Sequence, residues 1–191
     1  MSGTRPTCAI VEPTWVDEVI RYWFDELGAA HWFAGNEAID AQVRGRFLQL
    51  HERIVAQDGL VPTMQRAILA AVIVLDQFSR HLFRGTPRAY AADHLARKLS
   101  TAAIAQGFDI AMNAQERLFL YLPFEHSEDR ADQALAVDLI GRLGNAQWTR
   151  DAINHKEVID RFERFPHRNT ILNRQSSADE IALLREPEDW F

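Results

Sequence analysis

The chain holds one cysteine, Cys8, among 191 residues. No disulfide can form within it, and a lone thiol fits a reducing compartment. Long apolar runs are missing as well: the longest, Ala67 to Leu75, is about half of the ~20 residues a membrane helix needs. The opening segment MSGTRPTCAIVEPTW has no apolar core of the signal-peptide kind. These absences predict a soluble, cytoplasmic protein with no membrane partner. Positive charge is also scarce. A formal net charge of −6 argues against nucleic acid as a partner, because broad binding of that kind needs Lys and Arg to neutralise many phosphates. Glycine and proline are too few and too scattered to form a linker. The length suffices for one sizeable core, so the expectation is a single domain over 1–191, with 1–12 a loosely ordered N-terminal arm. No stretch alternates apolar and polar residues between hairpin turns, which predicts no sheet.

Helix punctuation, by contrast, is plentiful. Thr14 with Asp17, Asn113 with Glu116 and Ser177 with Glu180 have capping-box spacing, in which a short side chain satisfies a free amide and the acid three residues on reciprocates. Thr86 before Pro87 reads as another start, and Asn36, Ser127 and Asn145 as further caps. Gly28, Gly59, Gly107 and Gly144 stand where a left-handed residue would end a helix, and Pro123 and Pro166 read as stops. The predicted helices run over 15–27, 37–57, 64–81, 87–106, 114–122, 128–143, 146–164 and 178–185. The third is apolar nearly all round (AILAAVIVL) and is predicted to be the buried, central one. The apolar stripes of its neighbours are read as core and not as a cofactor site. The fold class is therefore all-α, an array of antiparallel helix pairs.

Short connections favour antiparallel neighbours. If direction alternates, the turns after the first, third, fifth and seventh helices share one end of the molecule. That end is the polar one. It collects three stretches rich in Arg, His, Asp and Glu: Asp76 to Asp93 (DQFSRHLFRGTPRAYAAD), Tyr121 to Gln133 (YLPFEHSEDRADQ) and Arg161 to Glu180 (RFERFPHRNTILNRQSSADE). The opposite turns (DGLVP, GFDIAMN, GN) are plain.

These three motifs, in this order, resemble those of a bacterial family, domain of unknown function 924, whose usual patterns are close to DQFPRNIFRGTPRAFATD, LPFEHSED and RFGRFPHRN-x-x-LGR. The resemblance spans almost the whole chain from Tyr22-Trp23-Phe24 onward. It implies a helical fold similar to a compact tetratricopeptide-repeat superhelix, although no repeat of fixed period is readable in the chain itself. It implies no activity. Glu163 and Asn173 stand where the family usually has glycine. Asn173 is expected to keep the turn by adopting left-handed geometry, and Glu163 to be an outward-facing helix residue.

The chemistry of the polar end has more than one reading. Asp76 follows the apolar run on the buried helix, where an unpaired carboxylate would cost roughly several kcal/mol or take up a proton. Arg80, Arg84 and Arg168 are its candidate partners. The pair Asp76–Arg80 can be a structural anchor, Asp76 can orient an arginine that grips an anion, or it can act as acid or base. Glu125 and His126 can shuttle protons or merely tie helix ends together. Arg161, Arg164, His167, Arg168 and Asn169, around Pro166, can hold an anion or close an internal network. No HExxH or Cys/His spacing, Gly-rich phosphate loop or dinucleotide fingerprint is present, so neither a metal nor a cofactor is expected.

Three readings follow. The first is a non-catalytic binding module that holds an anionic small molecule or a peptide end with Arg80, Arg84, Arg164, His167, Arg168 and Asn169. The second is a hydrolase or lyase in which His126 works with Glu125 or Asp76. The third is a structural network, with function in a protein interface elsewhere. Geometry separates them. Three or more unpaired arginines at an open mouth indicate binding, complete internal pairing indicates structure, and His126 bonded to a carboxylate at a pocket floor indicates an enzyme. Oligomeric state is not readable.

Overall fold

A computed structural model describes residues 12–33 and 35–185. The arm expected over 1–12, with Cys8, lies outside the described residues except for Glu12. Among those described there is no strand. Helix α1 (Thr14–Ile20) continues as a π turn (Arg21–Leu27) and is followed by α2 (Glu37–Ala56). Next come α3 (Gln65–Val72), a second π turn (Ile73–Phe78) and α4 (Ser79–Leu82), one continuous rod. A 3-10 turn (Pro87–Ala89) leads to α5 (Asp93–Ala105), and another (Phe108–Ala111) to α6 (Ala114–Glu125). Helices α7 (Arg130–Gly141) and α8 (Ala146–Phe162), a 3-10 turn (Pro166–Arg168) and α9 (Ala178–Leu183) complete the order. No helix here is long and apolar enough to cross a membrane.

The apolar run decides the centre of the molecule. Every residue from Ala67 to Leu75 is at most 3% exposed. Helix α3 packs on α1, α5 and α6, its π turn packs on α2 and α5, and α7 lies between α6 and α8. Aromatic side chains fill the space beside the π turn: Phe47 and Phe78 approach to 4.6 Å, and Trp23 meets Phe78 edge-on at 5.5 Å. Each buried Phe of this kind contributes about 2–3 kcal/mol. A smaller cluster of Val158, Ile159, Phe165 and Leu183 ties the C-terminal segment to α8.

The capping boxes at Asn113 and Ser177 are present, and Asn36 and Asn145 cap α2 and α8. Other punctuation differs from the sequence reading. Pro13, not Thr14, precedes the first helical residue, and α1 has no side-chain cap. Thr86-Pro87 opens only a 3-10 turn, because the Thr86 hydroxyl donates to the Phe83 carbonyl, and α5 starts at Asp93. Asp129 replaces Ser127 as the cap of α7, accepting from the amides of Ala131 and Asp132. Pro123 does not stop α6, which runs to Glu125. A proline in a last turn removes a single amide from a ladder that is about to end.

The two departures from the family glycines both sit in left-handed backbone. Asn173 has φ 55°, as expected of an asparagine kept at a turn. Glu163 was expected to be an outward helix residue and is instead the C-cap of α8, with φ 60°. A helix-ending residue there has its Cβ close to the following carbonyl, at a cost of roughly 1–2 kcal/mol that glycine avoids. The Glu163 side chain is 76% exposed and, among the described residues, pairs with Arg130 alone, at 3.3 Å, a contact worth little in water. Glu163→Gly is therefore expected to stabilise the protein by about 1 kcal/mol in urea denaturation, and Asn173→Gly by less. A loss of stability at Glu163→Gly would show that its side chain has a role the geometry does not reveal.

Candidate functional site

The three polar stretches meet around a cavity of about 360 Å3. Arg80 and Arg84 reach it from the end of α4, His126 from the C-terminus of α6, His155 from α8, and His167 and Arg168 from the 3-10 turn beyond. Tyr90 forms another part of the wall.

Asp76 lies behind His126 and is fully buried. It stands in the π turn of the central rod, an uncommon backbone form that recurs at functional sites. His126 donates from Nδ1 to both carboxylate oxygens, at 2.8 and 3.0 Å. Gln77 donates its side-chain amide to Oδ2. Arg80 bonds the Asp76 carbonyl at 2.6 Å and stands 3.3 Å from Oδ1. Burial alone would push the Asp76 carboxyl up, but Arg80, His126 and Gln77 outweigh it and hold the group well below the usual carboxylate range. Asp76 is thus ionised and can only accept. That places the His126 proton on Nδ1 and leaves the Nε2 lone pair for the cavity, since Nε2 makes no hydrogen bond among the described residues. Burial, only partly countered by Asp76, lowers the His126 pKa, so the ring is neutral at neutral pH.

A second histidine stands on the same wall. Nδ1 of His155 donates to the Asp151 carbonyl at 2.9 Å and lies 3.4 Å from Glu125 Oε1. Burial pushes the pKa of His155 down to about 4 and that of Glu125 up to about 8. The contact therefore joins two neutral groups and is not an ion pair. His167 is held neutral in the same way, burial and the nearby Arg168 lowering its pKa to about 3.

The arginines divide sharply. Arg80 forks onto Asp93 at 3.1 and 3.2 Å besides serving Asp76, and Arg84 forks onto Asp40 at 2.7 and 2.8 Å, alongside His81. Arg168 is different. It is 7% exposed, yet its guanidinium makes no hydrogen bond among the described residues, its Nε is buried unpaired, and its nearest charge is Asp93 at 3.7 Å. It lies over the rings of Tyr90 and Phe165, 4.6 and 4.5 Å from their centroids, contacts worth about 1–2 kcal/mol each when desolvated. Burial and the neighbouring Arg80 lower its pKa to about 10. The group stays charged at neutral pH with open donors.

Asp76 and Glu125 stand behind the wall, and two of the predicted ligand-binding residues are not in the cavity. Arg164 forks onto the buried Glu180 at 2.6 and 2.8 Å and bonds the Gln175 carbonyl, so it anchors α9. Asn169 is fully buried and donates to Ser176. Neither Arg84 nor Arg168 reaches Asp76, whose partners are Arg80, His126 and Gln77. Sequence reasoning missed Tyr90 and Asp93, which lie in a motif read for Asp76 and its arginines, and gave His155 no role beside Glu125. Among the described residues no group of three or more His, Cys, Asp and Glu side chains is placed to hold a metal ion.

The chain belongs to a family described as bacterial protein of unknown function (DUF924), which matches residues 19–188. It is also similar to a solved structure, the protein of unknown function ATU0120 from Agrobacterium tumefaciens. The two are 37% identical with a TM-score of 0.83, covering 89% of this chain and 96% of that one. None of the curated proteins compared with the chain matches it.

The buried titrating groups set opposing limits on stability. The unfolded chain takes up protons at His155 and His167 near pH 6.5, whereas the folded chain does so only near 4 and 3, so stability falls as pH drops below 6.5. Glu125 acts in reverse, because the folded carboxyl keeps until about pH 8 a proton that the unfolded one loses near 4.5, and stability falls as pH rises toward 8. Urea denaturation is expected to show a maximum near pH 6.5 and a net loss of about 1 kcal/mol by pH 8. Glu125→Gln should abolish that alkaline loss, and an unchanged loss in the variant would show that Glu125 is ionised in the fold.

Proposed function

We propose that this member of the DUF924 family carries an acid–base site for a small anionic substrate, of the hydrolase or lyase type, with His126 as the group that moves the proton. One observation carries the reading: His126 Nδ1 is bonded to the fully buried Asp76 carboxylate at 2.8 Å, while the same ring lines the cavity. A carboxylate behind an imidazole fixes its tautomer, aims its second nitrogen and stabilises the imidazolium formed when that nitrogen takes a proton. Burial keeps the ring unprotonated and ready.

Arg168 supplies the charge that receives the substrate. Its open donors can take a carboxylate or phosphate edge by paired, charge-assisted bonds, and binding there removes the penalty of a buried cation without hydrogen bonds. Asp76 and Arg80 stand behind the reacting groups and position them. The binding-module reading asked for several unpaired arginines, and Arg80, Arg84 and Arg164 are already engaged with carboxylates. The helix pairs are in keeping with the tetratricopeptide-like kinship that the motifs imply. Packing from α1 through α8 around α3 supports a single domain.

Carbethoxylation mapped by mass spectrometry tests the reading, since only an accessible, unprotonated imidazole nitrogen reacts. His126 is expected to be modified at pH 7, inorganic phosphate to protect it, and Arg168→Met to remove the protection while leaving the fold intact. An inert His126, or modification indifferent to phosphate, would overturn the reading. Arg164→Met serves as the contrast: it strands Glu180, 2% exposed, and is expected to cost on the order of 3 kcal/mol, the lower end for a broken buried pair because Arg164 is a third exposed.

A further inference from the structure

A second cavity, of about 340 Å3, abuts the first, and Tyr90, His126 and Arg168 line both. Each volume alone is near the lower end of the roughly 300–1,000 Å3 common for ligand pockets, room for a ring-sized group. Ile171 contributes to the first and Leu172 to the second, so adjacent residues of one turn serve the two sides. The imidazole of His126 and the unbonded guanidinium of Arg168 thus stand where two compartments meet, and not at the floor of one blind pocket.

Charge narrows what can sit at that junction. Asp76 and Asp93 face Arg80 and Arg168, Arg84 is neutralised by Asp40, and Glu128 by Arg174 at 2.7 Å. The histidines are neutral there because they are buried. Arg97 of the second cavity is paired with Asp132, so the site is already balanced: one incoming negative charge can take the open donors of Arg168, and a second would meet no further open cation. A terminal phosphate ester carries close to two charges at neutral pH, its second pKa being about 6. A carboxylate has the right charge but a single substituent, so two arms reach it only through a branched carbon one bond away. A phosphodiester carries a single charge with a substituent on each side of the charged group itself.

We propose that the two cavities form one site for a phosphodiester with a ring-sized substituent in each, its phosphate against Arg168 and its ester linkage beside His126. This rests on the acid–base reading of that histidine and names the substrate class it would act on.

Calorimetric titration with inorganic phosphate, phenyl phosphate and diphenyl phosphate at pH 7.5 tests it. Diphenyl phosphate is expected to bind at least about tenfold more tightly than phenyl phosphate. Filling the first cavity by Ile171→Trp, or the second by Leu172→Trp, should remove that gain and leave the affinity for inorganic phosphate within about twofold. Either variant decides the matter if the other misfolds. Equal affinity for the mono- and diester, or a gain that survives both substitutions, overturns the proposal. So does diphenylacetate binding as tightly as diphenyl phosphate, since a two-armed carboxylate would then satisfy the site. The acid–base reading fails separately: a diester that binds with the expected dependence on both cavities while His126 resists carbethoxylation leaves the ligand class standing and removes the proton chemistry.

Discussion

One buried carboxylate organises the polar end of this protein. Asp76 projects from the central rod into a fully buried position, and its charge persists because Arg80, His126 and Gln77 converge on it. Each partner is then committed in turn. Arg80 also gathers Asp93, and Asp93 is the nearest charge to Arg168. His126 is fixed in one tautomer. Protonating Asp76 would release the imidazole, while Arg80 would keep its bonds to the Asp76 carbonyl and to Asp93, so the ionisation of this single group sets how His126 faces the cavity. The Coulombic attraction needed to hold it ionised in a low-dielectric interior is large, and it comes from the same residues that the site uses.

The scaffold supplies what that arrangement requires. An apolar helix buried on every side carries Asp76 to the cavity, and the π turn at Ile73–Phe78 sets the carboxylate's register on the rod. On the facing side, Glu128 accepts from the Phe165 amide at 2.8 Å and from both ends of the Arg174 fork. That clasp pins the turn after α8 against the start of α7, and Arg168 is presented from within the clasped segment. The ion pairs here are therefore supports, and among the described residues Arg168 is the one cavity-lining arginine without a hydrogen bond, left for a ligand.

Much of this is legible in the sequence, for identifiable reasons. Nine apolar residues in a row can only be a buried helix, and alternation of helix direction is enough to bring Arg80, His126 and Arg168 to one end. Pairing is not legible. Nothing in the spacing distinguishes Arg164, forked onto Glu180, from Arg168, which makes no hydrogen bond among the described residues, because the choice depends on side chains meeting across distant turns. Backbone form escapes for a related reason: the π turn at Asp76 and the left-handed Glu163 arise from packing demands that override local preference. The glycine usual to the family at position 163 was the visible hint, and reading Glu163 as an outward helix residue overlooked it.

The central claim is that Asp76 holds His126 as a neutral ring with its proton on Nδ1 and a bare Nε2 toward the cavity. Nitrogen-15 NMR of the histidine side chains reads this directly, since protonated and unprotonated ring nitrogens are resolved and the two neutral tautomers give different patterns. At pH 7 the His126 signals are expected to report the Nδ1–H tautomer, with protonation of Nε2 only below pH 6.5, and Asp76→Asn is expected to disturb that tautomer. A proton found on Nε2 at pH 7, in the other neutral tautomer or in a charged imidazolium, would contradict the account.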